Sequence, residues 1–306
     1  MVFCTLRLFA QGSAFQVNYE TIRKSVVFIY QRGANGQAQP DGTGFLLNIP
    51  SKSNPRVSLI VLVTARHMID PAWAGCSQAA PKLVARFNKK DFNAEVDGSI
   101  GTVDYDLPSL TELGNSPKWM NWVLPGDESA DVAFTVLNGS KLASLGADFV
   151  APGLQALARP DETKLMDTGS QIMSAGLFPG MSGNVRNYPI FKFGYISSRP
   201  NEEITLMKEC PYGIAREETA WMIAASLVPG NSGSPILYVP VAFNGIGFGG
   251  YGRPSIIGVQ SSAVVGWGVA GMTPIQFLID SLRTAQIPDA DLSGLDPPAS
   301  QPGPGK

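Results

Sequence analysis

The sequence predicts an all-β protein, a sandwich or barrel of many short strands, and three observations carry that expectation. Short apolar segments recur between turn residues, no long helical period interrupts them, and 33 glycines and 24 prolines punctuate the chain. At 306 residues with 44% hydrophobic content, one large β domain or two smaller ones would have a sufficient core.

Taken in order, residues 18–24 predict a short amphipathic helix that feeds a strand over residues 25–30. Residues 33–44 are turn-rich, and Gly44-Phe45-Leu46-Leu47-Asn48-Ile49 reads as the next strand. The apolar run over residues 57–63 predicts a buried strand that stops just short of His67. Further strands are expected over residues 82–87, 119–124, 132–137, 171–177, 188–197, 221–228, 235–239 and 255–260. A last helix is expected from Thr273 as N-cap, with Pro274 at its first position and Gln276 closing a capping box. Ile275, Leu278, Ile279 and Leu282 would then share one face. Beyond Ile287 the composition turns to Pro, Gly, Ser and Asp, so residues 288–306 are expected to be a disordered tail.

Charge and composition exclude several functions. A net charge of −2 without a basic cluster argues against a nucleic-acid partner. No apolar run is long and unbroken enough to span a bilayer, so no membrane partner is expected. The opening ten residues lack a signal-peptide pattern, which favours a cytoplasmic location. Cys4, Cys76 and Cys210 are odd in number and scattered, so neither a disulfide framework nor a paired metal motif is expected. With one histidine, the chain offers little to hold zinc, and neither metal nor cofactor is predicted.

The chemistry concentrates in Val228-Pro229-Gly230-Asn231-Ser232-Gly233-Ser234-Pro235, a small-residue turn between two apolar runs. Gly230 and Gly233 keep side chains out of the way, so a serine there meets backbone N–H donors of the kind that steady an oxyanion. A serine needs a base. The single histidine, His67, follows the buried run within Thr64-Ala65-Arg66-His67, and Asp131 opens the apolar run Asp131-Val132-Ala133-Phe134 as a carboxylate able to orient it. Asp127 and Asp70 compete for that role, but Asp127 lies in a more polar stretch, Gly126-Asp127-Glu128-Ser129. Ser234 is the rival hydroxyl.

Thr64-Ala65-Arg66-His67, Asp131-Val132-Ala133 and Gly230-Asn231-Ser232-Gly233-Ser234-Pro235 resemble the three signature blocks of trypsin-like serine proteases, in that family's order of His, Asp, Ser. An α/β-hydrolase would need a histidine after its serine, and none follows residue 67. Pro229-Gly230-Asn231-Ser232-Gly233 and Phe191-Lys192-Phe193-Gly194-Tyr195-Ile196-Ser197-Ser198 are similar to the high-temperature-requirement type of bacterial protease, here expected without a PDZ domain. Ser234 departs from the family, which usually has glycine there.

The resemblance implies two packed six-stranded antiparallel β-barrels of the chymotrypsin-like kind with a C-terminal helix. It divides the chain into an N-terminal segment 1–24, a first barrel 25–140 with His67 and Asp131, a second barrel 141–287 with Ser232, and the tail 288–306. It implies a serine endopeptidase acting on a peptide or protein substrate through the triad His67, Asp131 and Ser232, with oxyanion donors at Gly230 and Ser232. It places the pocket floor near Ser226 and the walls at Ser261, Ser262 and Ala263, uncharged residues suited to an uncharged side chain. Ser261 would also bond Asp131. Asn231 cannot form the charge pair by which digestive enzymes are activated at a new N-terminus. The alternative is a non-catalytic binding or sensor protein on the same fold. The sequence leaves the oligomeric state open.

Two motifs are decoys. Asp167-Thr168-Gly169 resembles the aspartic-protease signature but occurs once where two are needed, so it reads as a turn. Gly245-Ile246-Gly247-Phe248-Gly249-Gly250 spells a dinucleotide fingerprint with no helix after it.

Overall fold

The computed structural model describes residues 19–76, 81–98, 100–110, 119, 121–207, 215–228, 230–240, 253–264 and 267–296. The first half forms seven strands: β1 (Val26–Arg32), β2 (Ala38–Pro50), β3 (Ser58–Thr64), β4 (Leu83–Lys89), β5 (Thr102–Asp106), β6 (Ala133–Leu137) and β7 (Ala147–Asp148). The second half contributes β8 (Gln171–Gly176), β9 (Ile190–Ser198), β10 (Ile204–Met207), β11 (Ala215–Glu218), β12 (Trp221–Ala225), β13 (Pro235–Tyr238), β14 (Ser255–Val264) and β15 (Val269–Pro274).

Strands β12, β15, β14, β13, β8 and β9 close into a six-stranded antiparallel barrel, as expected. The first half is a seven-stranded sheet in the order β5-β4-β1-β2-β3-β6, with β7 added on β4. Its terminal strands β5 and β6 do not pair among the described residues, so the closure into a barrel that the resemblance implies for this half is not seen among them. The pairing Lys89↔Ala147 carries that sheet past the expected boundary at residue 140.

Both faces of the first sheet are covered, which explains its uninterrupted apolar runs. Phe45, Leu47, Val61 and Val63 pack in one cluster with Ile223, Ile236 and Val259 of the barrel. Their neighbours Leu46 and Leu62 point the other way, toward Val27, Phe87 and Leu137. The two halves therefore share a core, and the loops at the ends of β3, β6 and β12 meet beside it.

Residues 19–25 form the expected short helix. The last helix, Ile275–Thr284, buries Ile275, Leu278, Ile279 and Leu282 as its spacing requires. Its cap differs: Thr273 lies in β15 and bonds the Asp131 carbonyl at 3.2 Å, while Pro274 holds the N-cap without a side-chain bond. A buried acceptor outcompetes the local cap.

The tail is also corrected, since residues 288–296 pack on the first half. Asp289 accepts from Ser51 and Ser53, Asp291 N donates to the Pro50 carbonyl at 2.8 Å, and Leu295 is 2% exposed. Residues 297–306 lie outside the described residues, as do residues 1–18 and the Gly245–Gly250 stretch. Cys76 is disulfide-bonded, although the sequence suggested no disulfide framework; Cys4 and Cys210 lie outside the described residues. Among the described residues no helix is long and apolar enough to cross a membrane.

Candidate active site

Strand pairing brings His67 to Asp131. β3 and β6 run antiparallel with Thr64 opposite Ala133, so the residues just after β3 and just before β6 emerge at the same end of the sheet. There the chain makes one helical turn, Arg66–Ile69. Asp131 is 0% exposed and grips that turn twice: Oδ1 accepts from His67 N at 2.9 Å and Oδ2 bonds His67 Nδ1 at 2.7 Å. An ionised carboxylate only accepts, so Nδ1 is the donor in this bond, and in the neutral imidazole Nε2 then keeps its lone pair. That is the tautomer a general base needs.

The rival carboxylates are committed elsewhere. Asp127 accepts from Ser129 N and Oγ. Asp70 accepts from Trp73 N and pairs with Arg66. Arg66 and Arg216 both stack on Trp73, with guanidinium-to-ring distances of 5.0 and 4.2 Å, which buttresses the turn carrying His67.

The serine turn is docked against the same strands. Thr43 N donates to the Ser232 carbonyl at 2.9 Å, and Thr43 Oγ1 donates to the Gly230 carbonyl at 2.7 Å while accepting from Leu177 N. Thr64 Oγ1 in turn donates to the Thr43 carbonyl at 2.7 Å. On the barrel side, Gly233 N donates to the Gln260 carbonyl and Gln260 N to the Ser234 carbonyl. Gly230 and Gly233 adopt φ of 91° and 86°, a region that suits glycine alone. Ser232 keeps a sliver of exposure, 8%, whereas Ser234 is 0% exposed, which removes the rival hydroxyl from reach of a substrate.

The amides of Gly230 and Ser232 donate to no partner among the described residues, although both residues are buried. Such a pair can receive a carbonyl oxygen that becomes an oxyanion.

The pocket residues divide. Ser261, Ser262 and Ala263 are buried in β14, where a register shift between Gln260 and Ser262 makes Ser261 the extra residue of a bulge. Ser226 is exposed beyond the end of β12 and is not an enclosed floor.

Sequence reasoning missed three contributors: Thr43, Asp41 and Lys192. Thr43 sits in Asp41-Gly42-Thr43-Gly44, and its only signal was a hydroxyl within a strand about to turn fully apolar. Burial pushes the Asp41 carboxyl above its ordinary range, and His67 opposes that shift to a lesser degree. A raised folded-state value adds stability while Asp41 is protonated, and that contribution is lost as pH climbs through the raised value. Asp41→Asn is therefore expected to melt higher than wild type at about pH 8, with the gap closing below about pH 4. Scanning calorimetry across that range checks it; a variant that melts lower at alkaline pH contradicts the burial argument.

The sequence matches no protein-family model and no curated protein. Three solved structures of Rv3671c from M. tuberculosis are similar in backbone trace. An inactive form carrying a serine-to-alanine mutation is 17% identical with TM-score 0.42, covering 86% of this chain and 87% of that one. The active form of the protease is 16% identical with TM-score 0.41, covering 86% and 82%. An inactive form of the protease is 17% identical with TM-score 0.42, covering 88% and 92%. Likeness of this degree assigns no activity to the present chain.

Proposed function

We propose that the chain is a serine endopeptidase in which His67, Asp131 and Ser232 act as one unit. The observation that supports this most is the clasp of the sole histidine by a fully buried carboxylate, beside a docked serine turn. In the first step Ser232 Oγ attacks the peptide carbonyl carbon as His67 Nε2 takes its proton. The carbonyl electron pair moves onto oxygen, where the N–H groups of Gly230 and Ser232 receive it. Each such donor is worth about 10²–10³ in rate. Asp131 holds the resulting imidazolium in place without itself taking the proton. Collapse breaks the C–N bond, and His67 delivers the proton to the leaving amine. Water then attacks the acyl-enzyme with His67 again as base, releasing the acid and restoring Ser232.

Ser261, Ser262 and Ala263 carry no charge, so the side chain before the cleaved bond is proposed to be uncharged and of small or medium size. A fluorophosphonate probe tests the activity, because it captures only an activated serine. Wild type is expected to label at a single site, and Ser232→Ala not at all. Folded wild type that never labels overturns the proposal. Turnover of matched ester and peptide substrates distinguishes a peptidase from an esterase built on the same triad.

A further inference from the structure

Lys192, near the start of β9, lies half-buried with its Nζ donating to Asn231 Oδ1 at 2.9 Å. Asn231 directly precedes Ser232 and is itself buried. Its side chain brackets the turn: Oδ1 also accepts from Val228 N at 3.0 Å, and Nδ2 donates to the Leu177 carbonyl at 2.7 Å. Leu177 N donates to the same Thr43 hydroxyl that holds the Gly230 carbonyl. An ammonium can only donate, so Lys192 fixes the amide with its oxygen inward and its nitrogen toward Leu177.

Among the described residues no carboxylate pairs with Lys192, and burial lowers its pKa from the ordinary lysine value. Its neighbours are the Asn231 amide, the cross-strand partner Ser174 and the Phe178 ring, whose centroid lies 5.4 Å from Nζ. That ring contact offsets only part of the desolvation. A methionine would fill the same space without the penalty. A half-buried ammonium that donates to the residue before the candidate nucleophile, with no carboxylate partner among the described residues, is placed to hold that turn.

We propose that Lys192 is a positioning residue, whose ammonium holds the Asn231 bracket and through it the orientation of the Gly230 and Ser232 amides. This inference rests on the peptidase reading, but half of it can be tested apart from activity. In Lys192→Met, kcat is expected to fall at least about ten-fold with KM little changed, as displacement of donors used only in the transition state requires. The melting temperature is expected to hold or rise, since the buried charge is gone; a merely structural lysine would lower it. Wild-type kcat is expected to fall on the alkaline side as Lys192 loses its proton below the ordinary lysine range, and Lys192→Met to lack that limb. Lys192→Arg, which keeps charge and donor, should recover part of the rate. Backbone hydrogen exchange across residues 230–234 is expected to quicken in Lys192→Met whether or not the chain cleaves peptides. Failure of wild type to label with fluorophosphonate, with exchange still quickened, would sink the peptidase reading and leave the bracket standing. Unchanged exchange and a kcat within about two-fold of wild type would overturn the role of Lys192.

Discussion

Asp131→Asn is expected to lower kcat on a peptide substrate by about 10⁴-fold while the protein remains folded. The argument is one of donors and acceptors. In wild type both carboxylate oxygens accept from the same helical turn, one from His67 N and one from Nδ1. An asparagine of the same shape has one oxygen and one NH₂ group, so it can satisfy only one of those donors. If its oxygen stays with the backbone N–H, the NH₂ faces Nδ1, and the imidazole must move its proton to Nε2 to accept. The ring then presents a proton to Ser232 where a lone pair is required. Asp131→Ala is a poorer test, because emptying a fully buried position leaves His67 N without a partner and costs about 1–3 kcal/mol besides. Asp127→Asn and Asp70→Asn are the controls, since those carboxylates serve Ser129, Trp73 and Arg66. Steady-state kinetics with a melting curve for each variant checks the comparison. A ten-fold effect or less at Asp131, or an equal effect at Asp127, would dissolve the triad.

The parts of the fold legible in the sequence are those whose apolar runs or apolar alternation face a core on at least one side. The run ending at Val63 and the segment beginning at Trp221 both became strands because alternate residues lie in different apolar clusters or against the barrel interior. β5, Thr-Val-Asp-Tyr-Asp, and β11, Ala-Arg-Glu-Glu, were invisible because β5 is the edge of its sheet, β11 belongs to a two-stranded sheet, and the side chains of both are largely polar. Residues 119–124 show the converse error. Their aromatic content suggests a strand, yet among the described residues they contribute a single bridge, Val123 to Phe134. The candidate triad could be read because it depends on three short blocks whose residue types are chemically demanding. The supports could not: Lys192 acts through a contact 39 residues away along the chain and Thr43 through one 187 residues away, and no local pattern encodes such distances. The packed tail failed for a similar reason, since Asp289 finds Ser51 across 238 residues.

Gly233→Ala is expected to destabilise the protein by about 3 kcal/mol or more and to disrupt the site along with the fold. Two costs add. The backbone there has φ of 86°, where a Cβ costs about 1–2 kcal/mol by its own crowding. The new methyl would also lie 2.0 Å from the Thr43 carbonyl oxygen, 2.3 Å from Thr64 Oγ1 and 3.1 Å from Ala65 N. None of those atoms is the free end of a flexible side chain. The Thr43 oxygen accepts from Thr64 Oγ1, and Thr43 N holds the Ser232 carbonyl. Relief of the clash must therefore push the serine turn away from β2, or push the end of β3 and with it the turn that bears His67. Gly36→Ala separates the two costs: its φ is 77° but its Cβ would meet nothing within 4 Å, so it should lose only the backbone share of about 1–2 kcal/mol. Denaturant unfolding of both variants measures the difference. Equal losses would mean that the serine turn is not wedged against Thr43 and Thr64, and the contact that joins the two halves of the site would have to be sought elsewhere.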